Sequence, residues 1–176
     1  MAYFSSFPLI WYDSFGNGNS QVVTNLLRRV GLRTKIKSNK LFFDTYDVRE
    51  GETPEMLADK LYGDVELHWI ILMVNDITDR YHQWPLNTPQ FLAFIKDKYS
   101  DVDAVHHYEI TQTSGDTALT IDIGTDNTDY PAASIITNFE YEESQQDEKR
   151  KIRLLVPEYL GAFITEFDAY MQESAI

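Results

Sequence analysis

The chain of 176 residues contains no cysteine. This absence excludes a disulfide framework and any metal site built on thiolates, and it fits a protein made in a reducing cytosol. Long hydrophobic runs are absent as well. The longest apolar run, from Trp69 to Val74, is far too short to span a bilayer. The first residues lack the basic region and apolar core of a signal peptide. We therefore expect that the chain is made in a cytoplasm and does not associate with a membrane.

Basic residues are few, with 15 lysines and arginines against 28 aspartates and glutamates, for a net charge of −13. This balance opposes nucleic-acid binding, which depends on neutralising phosphates. The charge is uneven, because the segment from Arg28 to Lys40 contains basic residues and no acidic one. Two interpretations stay open for this segment: a solvated, positively charged loop, or a patch that meets an acidic neighbour or the chain's own acidic surface.

Motifs that carry catalysis are missing too. There is no Gly-x-Ser-x-Gly elbow, no phosphate loop and no dinucleotide-binding glycine pattern. The four histidines lack the His-x-x-x-His spacing that places two metal ligands on one helical face. Glu50 and Glu52 flank Gly51 in a predicted turn, where nothing indicates the burial that raises the pKa of a catalytic carboxyl group. We predict a protein that is not an enzyme, with no catalytic residue, no metal and no cofactor, and we expect no small-molecule ligand.

The clearest structural pattern lies in the middle of the chain. Phe42 to Val48 is aromatic and β-branched, which predicts a strand. Thr53 has the character of a helix N-cap with Pro54 at the first helical position, and Gly63 is suited to a left-handed helix stop. Asp64 can cap a second helix almost at once. This second helix is apolar on most sides, which predicts burial: Leu67, Trp69, Ile70, Ile71, Leu72, Met73 and Val74.

The amino-terminal dozen residues are strongly aromatic, and Pro8 favours an extended segment there. Such a terminus is either tucked onto its own core or inserted into a partner, and we favour the partner. After the break at Gly16 to Asn19, Ser20 is predicted to cap a helix that ends at Gly31. Its apolar positions recur at helical spacing: Val22, Val23, Leu26, Leu27 and Val30.

The second half of the chain mixes helices and strands. Thr88-Pro89 predicts a helix running to about Lys98. The alternation over Val105–Thr111 and Ala118–Ile123 predicts a β-hairpin that turns at residues 114–116. Thr137 and Glu140 have capping-box spacing, which predicts an exposed acidic helix over 138–149. A second hairpin is the alternative, because residues 135–141 also suit a strand.

The chain should end with a short strand over Ile152–Val156 and an amphipathic helix that begins at Pro157. The fold class is therefore α+β, with a strand–helix–helix core, an aromatic N-terminal extension and helix, a β-hairpin and a C-terminal amphipathic helix. We divide the chain into an extension and helix (1–40), a core with its following helix (41–100), and a hairpin with the acidic and C-terminal helices (101–176).

Two motifs carry a family resemblance. The sequence from Tyr46 to Thr53, YDVREGET, resembles the opening of LysM modules. The continuation through LYGD and LHWIILMVND, ending at Asp76, is similar to the LysM-like baseplate wedge proteins of contractile-tailed bacteriophages of the T-even type. The segments YFSSFP near the amino terminus and EKRKIRLL beginning at Glu148 also look like that family.

This resemblance implies a structural virion component of the tail baseplate, made in the host cytoplasm. It would join wedge subunits to each other and to the central hub or tube. The rival hypothesis is a module that binds peptidoglycan or chitin through the two LysM-like loops. The residues of those loops are Gly51, Glu52, Thr53, Pro54, Asn75 and Asp76. The second loop is longer and more aromatic than in an ordinary module, and a closing strand is not apparent after it, so a glycan is the less favoured partner.

A protein with several neighbours needs several contact surfaces, and four are candidates: the aromatic extension, the basic segment, the acidic segment over Glu140–Glu148 and the C-terminal helix. Buried aromatic residues carry much of the binding energy of an interface. The candidate protein-contact residues are Tyr3, Phe4, Phe7, Trp11, Tyr12, Arg28, Arg29, Arg33, Phe163 and Phe167. We expect removal of residues 1–13 to abolish assembly while leaving the monomer folded.

Overall fold

The computed structural model describes residues 3–32, 34–112 and 119–173, and the fold is α+β, as predicted. Three short 3₁₀ helices accompany the regular elements, at Tyr3–Ser6, Val65–Leu67 and Pro157–Tyr159. The strands and helices, in chain order, are β1 Leu9–Tyr12, β2 Gln21–Thr24, α1 Thr34–Lys37, β3 Phe43–Asp47, α2 Pro54–Tyr62, α3 His68–Val74, α4 Arg80–Gln83, α5 Thr88–Lys98, β4 Val105–Thr111, β5 Thr120–Gly124, β6 Ser134–Thr137, α6 Asn138–Arg150, β7 Lys151–Leu155 and α7 Leu160–Gln172.

The chain forms two compact units, one from Met1–Trp84 with Lys151–Ile176 and one from Pro85–Arg150. These units do not coincide with the three segments drawn from the sequence. The reason is that β7, late in the chain, pairs antiparallel with β3 in the first unit, with Phe43 opposite Leu155 and Asp47 opposite Lys151. The strand predicted over Ile152–Val156 is confirmed as β7.

The core of the first unit lies where α2, α3 and α7 meet the β3–β7 pair. Ile70, Ile71 and Val74 of α3 are fully buried, which accords with a helix that is apolar on most sides. The indole ring of Trp69 packs 4.5 Å from the ring of Phe167, which α7 supplies as predicted. The apolar spacing of α3 and α7 predicted their buried faces correctly.

The predicted caps of α2 and of the segment after it are confirmed. The Thr53 hydroxyl accepts the Met56 N–H at 3.3 Å, and Pro54 is the first residue of the helix. Gly63 ends it with φ of +69°, a left-handed conformation that favours glycine. Asp64 then caps the 3₁₀ helix that leads into α3. Four local signals thus set these elements: Thr53 and Pro54 begin α2, Gly63 ends it and Asp64 begins the next segment.

The predicted helix after Ser20 is wrong. Residues Gln21–Thr24 form β2, which pairs antiparallel with β1 so that Leu9 lies opposite Thr24 and Tyr12 opposite Gln21. The apolar spacing does fit a helix, but β-branched Val22 and Val23 also suit a strand, and pairing with β1 decides between the two. The polar segment over residues 34–39, for which the sequence predicts only a connector, contains the single helical turn α1.

The second unit combines α5 and α6 with a three-stranded antiparallel sheet in the order β5-β4-β6. The predicted β4–β5 hairpin is confirmed, and its turn at 114–116 lies outside the described residues. The helix predicted over 138–149 is confirmed as α6. The alternative of a second hairpin over 135–141 is wrong, because the strand before the helix, β6, ends at Thr137 and pairs with β4. The cap of α5 is Asn87 rather than Thr88, in a capping box with Gln90.

The acidic helix α6 is not exposed all round, contrary to expectation. Its Glu142 and Gln146 are buried, one turn apart. The Gln146 side chain accepts the Leu86 N–H at 2.9 Å, and the Glu142 carboxylate accepts hydrogen bonds from Lys98 Nζ at 2.6 Å and from the Tyr99 hydroxyl at 2.7 Å. These partners, which lie just before α5, on it and just after it, offset the cost of burying the two polar side chains.

Candidate protein-contact surface

The aromatic amino-terminal segment divides into a docked part and an exposed part. Tyr3 and Phe7 face the chain's own core: Phe7 is only 7% exposed, and the Tyr3 ring lies 5.4 Å from the Trp69 ring and 5.8 Å from the Phe167 ring. Phe4, beside them, is mostly exposed. The extension is therefore tied to the core at its start, and removal of residues 1–13 would damage the core as well as any contact surface.

The β1–β2 pair is the exposed part. We call residues Leu9–Leu27 the apolar hairpin, because most of its large side chains lie in solvent. Leu9 and Trp11 share one face with Val22 and Thr24, since they are opposite them in register. Trp11 is 74% exposed. The exposed large apolar side chains are Leu9, Trp11, Tyr12, Phe15, Val22, Val23, Leu26 and Leu27.

The tip of the apolar hairpin is held by one carboxylate. Asp13 Oδ1 accepts the N–H groups of Phe15 (3.1 Å), Gly16 (2.8 Å) and Asn17 (3.3 Å), while its Oδ2 accepts the N–H of Gly18 at 2.7 Å. The hydrogen bond from Gly18 is the largest of the effects that lower the pKa of Asp13. Phe15, 84% exposed, projects from this loop.

Phe15 was missed as a candidate because it follows the aromatic run and precedes a glycine-rich break. The signal that could have found it is the Asp13 side chain, since aspartate commonly organises a turn by accepting backbone N–H groups just after it. Gly16 and Gly18 complete that signal, with φ of +65° and +84°. A turn of this kind presents the side chain between its ends to solvent.

The basic candidates lie where the apolar hairpin ends. Arg28 Nη2 donates to the Tyr170 carbonyl oxygen of α7 at 2.6 Å, and Arg29 is exposed. Arg33 lies outside the described residues. Both described arginines line a cavity of about 330 Å³ whose wall includes Phe163 and Phe167. Phe167 is a core residue and Phe163 is partly buried against the core, so α7 contributes little free apolar surface here.

The first LysM-like loop is engaged in supporting the fold. Gly51 has φ of +75°, and Thr53 and Pro54 begin α2. The Glu52 carboxylate accepts the Arg49 N–H at 2.9 Å and the Tyr46 hydroxyl at 2.8 Å. Burial by itself would raise the pKa of Glu52, but these hydrogen bonds outweigh it and hold the pKa below its usual value.

The second LysM-like loop is engaged as well. Asn75 Nδ2 donates to the Arg153 carbonyl oxygen and Asn75 Oδ1 accepts the Arg153 N–H, both at 2.8 Å, so one side chain continues the hydrogen bonding of β7. Asp76 forms an ion pair with Lys37. Trp84, which is buried, donates from Nε1 to the Glu52 carbonyl oxygen at 2.9 Å and so joins the two loops. The side chains of Glu52, Thr53, Asn75 and Asp76 therefore all have partners within the first unit.

The acidic segment of α6 offers less free charge than its sequence indicates. Glu142 is 4% exposed. Burial alone would raise the pKa of Glu142, but the hydrogen bonds from Lys98 and Tyr99 outweigh it and lower that pKa below its usual value. The same hydrogen bond to Glu142 raises the pKa of Lys98. Glu142 therefore fixes α6 to α5, and the other acidic residues of the helix remain at the surface.

Two classes of site were sought across residues 3–32, 34–112 and 119–173. No group of three or more His, Asp or Glu side chains there could hold a metal ion. No helix in that part of the chain combines the length and the apolar composition needed to cross a membrane.

Comparison with known proteins gives two matches. Residues 4–115, more than half of the chain, match the family model described as base plate wedge protein 53. A curated relative, the baseplate wedge protein gp53 of Enterobacteria phage T4, is 23% identical over 145 residues, and the match covers 74% of this chain and 74% of the relative. The family match includes the whole of the apolar hairpin.

Proposed function

The chain belongs to the base plate wedge protein 53 family, and from this premise we propose that it joins neighbouring wedge subunits to one another and to the central hub or tube. Family membership makes it a structural component of the phage tail baseplate, located in the virion and in contact with other baseplate proteins. The proposal concerns which surface makes those contacts and what they accomplish.

The observation that carries the proposal is the apolar hairpin. A two-stranded hairpin is marginally stable by itself in water and normally needs a further strand or a packed face. Here Trp11 and Val22 on one face and Tyr12 on the other are all exposed. Contiguous apolar surface of this kind marks a contact site in a soluble protein. We assign the hairpin to a neighbouring baseplate protein.

Two side chains are the proposed anchors. Trp11 and Phe15 are the most exposed aromatic residues of the apolar hairpin, and the Asp13 loop fixes the backbone that presents Phe15. Anchors that are held rigid before binding lose less conformational entropy on association. Tyr3 and Phe7 are protein-contact candidates by sequence, but we assign them to the core, because they already pack against it.

The test is binding to purified wedge subassemblies that lack this chain. The double variant Trp11→Ala with Phe15→Ala should bind at least 100-fold more weakly, because truncation of an interface anchor typically costs about 2 kcal/mol or more. The matched control is Tyr81→Ala, which removes an equally exposed aromatic ring from α4 of the same unit. Equal binding by the double variant and the control would refute the proposal.

A pull-down on insoluble glycans, run beside the wedge-binding assay, tests the rival glycan function. We expect no retention of the chain on insoluble peptidoglycan or chitin, because the side chains of Glu52, Thr53, Asn75 and Asp76 already have partners within the first unit. Retention that is lost on changing Thr53 or Asn75 in a variant that still folds would favour the glycan instead.

A further inference from the structure

We infer that β1 binds its partner through the main chain, as a strand added to an exposed sheet edge of a neighbouring baseplate protein. This inference rests on the proposed function and specifies how the apolar hairpin makes its contact. It concerns the outer edge of β1, the side that faces away from β2.

The hydrogen-bonding pattern of the hairpin leaves that edge open. The Asn25 N–H donates to the Pro8 carbonyl oxygen at 2.9 Å, which fixes the phase of the ladder. In an antiparallel pair, opposed residues alternate between those that bond each other and those whose N–H and C=O groups point outward. Ile10 and Tyr12 therefore bond β2, while the N–H and C=O groups of Leu9 and Trp11 point outward, away from it.

Within its four residues, β1 carries none of three usual protections against pairing: a charged side chain, a proline or a bulge. Natural proteins cover such edges with charged side chains, proline, bulges or a neighbouring element. Neither Leu9–Tyr12 nor Gln21–Thr24 contains a charged residue or a proline, and their register has no irregularity. The outer edge of β2 is less available, because the Leu26 N–H already donates to the Thr24 carbonyl oxygen at 3.0 Å.

Side chains and charge restrict the partner strand. On the face that holds Leu9, Trp11 and Val22, an added strand would place every second side chain beside these residues, so those positions should be apolar. At the base of the hairpin, the arginines begin a segment with no acidic residue, and Asp13 is the only acidic residue among residues 1–40. We therefore expect acidic residues beside the partner strand, where they face Arg28 and Arg29.

Proline substitution separates main-chain pairing from side-chain contact. Leu9→Pro and Leu9→Ala both remove the leucine side chain, but only Leu9→Pro also removes the outward N–H. If the strand pairs, Leu9→Pro should bind wedge subassemblies roughly tenfold more weakly than Leu9→Ala, because an acceptor in the interface is left without a donor. On the outer edge of β2, the matched variants Val22→Pro and Val22→Ala should bind wedge subassemblies as tightly as each other.

A second measurement keeps the inference falsifiable if Leu9→Pro disrupts the free hairpin. Amide hydrogen exchange in the unmodified complex should show strong protection of the Leu9 and Trp11 N–H groups, which are open in the free chain. Rapid exchange of both amides in a stable complex would overturn strand addition while leaving side-chain docking intact. If Leu9→Pro and the double variant Trp11→Ala with Phe15→Ala both bind as tightly as the parent chain, the proposed function is refuted instead.

A second copy of this chain is the other occupant that the experiment can reveal. Concentration-dependent self-association by light scattering, lost in Leu9→Pro and kept in Leu9→Ala, would show that β1 pairs with this chain itself and would overturn the heterologous partner. A chain that stays monomeric at all concentrations, and whose Leu9 and Trp11 amides are protected in the complex, supports pairing with a different baseplate protein.

Discussion

Phe7 and Trp11 lie four residues apart, and their replacement by alanine should have opposite consequences. Phe7 is buried in the core of the first unit, with ring contacts to Tyr3 at 5.0 Å and to Phe4 at 5.5 Å, whereas Trp11 is largely in solvent. Phe7→Ala should therefore weaken folding, and Trp11→Ala should weaken assembly. One pair of variants thus separates the docked part of the amino-terminal segment from its exposed part.

The magnitudes follow from burial. A buried phenylalanine replaced by alanine typically costs 3–5 kcal/mol, and we take about 3 kcal/mol because Phe7 lies in a chain end that can partly collapse. For a chain of this size, that corresponds to a melting temperature lower by about 6–12 °C. An exposed side chain such as that of Trp11 changes stability by about 0.5 kcal/mol or less. Its loss from an interface should cost about 2 kcal/mol, a roughly 30-fold weaker association.

The assay is thermal unfolding of both variants, followed by titration against wedge subassemblies. Near-ultraviolet circular dichroism suits the first step, because Trp69, in the core near Tyr3, reports on packing there. A melting temperature of Phe7→Ala equal to that of the parent chain would refute the assignment of Phe7 to the core. Comparable destabilisation by Trp11→Ala would refute the claim that the apolar hairpin is free of the core.

Three further substitutions test other parts of the structure. Glu142→Gln should lower the free energy of unfolding by about 1–3 kcal/mol. Because the pKa of Glu142 is lowered in the folded chain, the carboxylate stabilises the fold above the usual glutamate pKa, and this stabilisation is lost as pH falls through the lowered value. The stability of the variant should therefore depend less on pH in the acid range. Asn75→Ala should cost about 2 kcal/mol, measured by urea unfolding, because it leaves the Arg153 N–H and C=O unpaired. Asp13→Ala should accelerate hydrogen exchange of the Gly18 amide without lowering the melting temperature, and an unchanged exchange rate would contradict the role given to its carboxylate.

Local signals explain what the sequence could predict. The Thr53 cap, the left-handed Gly63 and the Asp64 cap each act within a few residues, and all three are in place. The capping box of Thr137 and Glu140 likewise starts α6, with the Glu140 carboxylate accepting the Thr137 N–H at 2.8 Å. Such patterns can be recognised because their donors and acceptors are neighbours in the chain.

The errors arose where distant residues decide. Residues 22–30 have apolar spacing that fits a helix, and only pairing with β1, across the Asp13 loop, makes them a strand and turn. The sequence predicts β7 as a strand, but its partner β3 could not be predicted because the whole second unit separates the two strands in sequence. Burial of Glu142 depends on Lys98 and Tyr99 in the same way.

The candidate site was predicted only in outline. Aromatic composition located the amino-terminal region, but composition alone could not separate Phe7, which packs inward, from Trp11, which does not. The same limit applies to the LysM-like loops: Thr53 and Asn75 match a family pattern, and their hydrogen bonds serve the fold. Direction of a side chain, rather than its type, decides its function in each case.

The most direct test of the account uses the three tryptophans of this chain. Trp69 and Trp84 are buried, and Trp11 is exposed. Fluorine NMR of the chain labelled with 5-fluorotryptophan, mixed with unlabelled wedge subassembly, observes these three rings and no others. We predict that the Trp11 resonance shifts and loses its sensitivity to D₂O in the complex, while the other two stay unchanged. A complex in which Trp11 keeps its free shift and its exposure to solvent would contradict the claim that the apolar hairpin makes the baseplate contact.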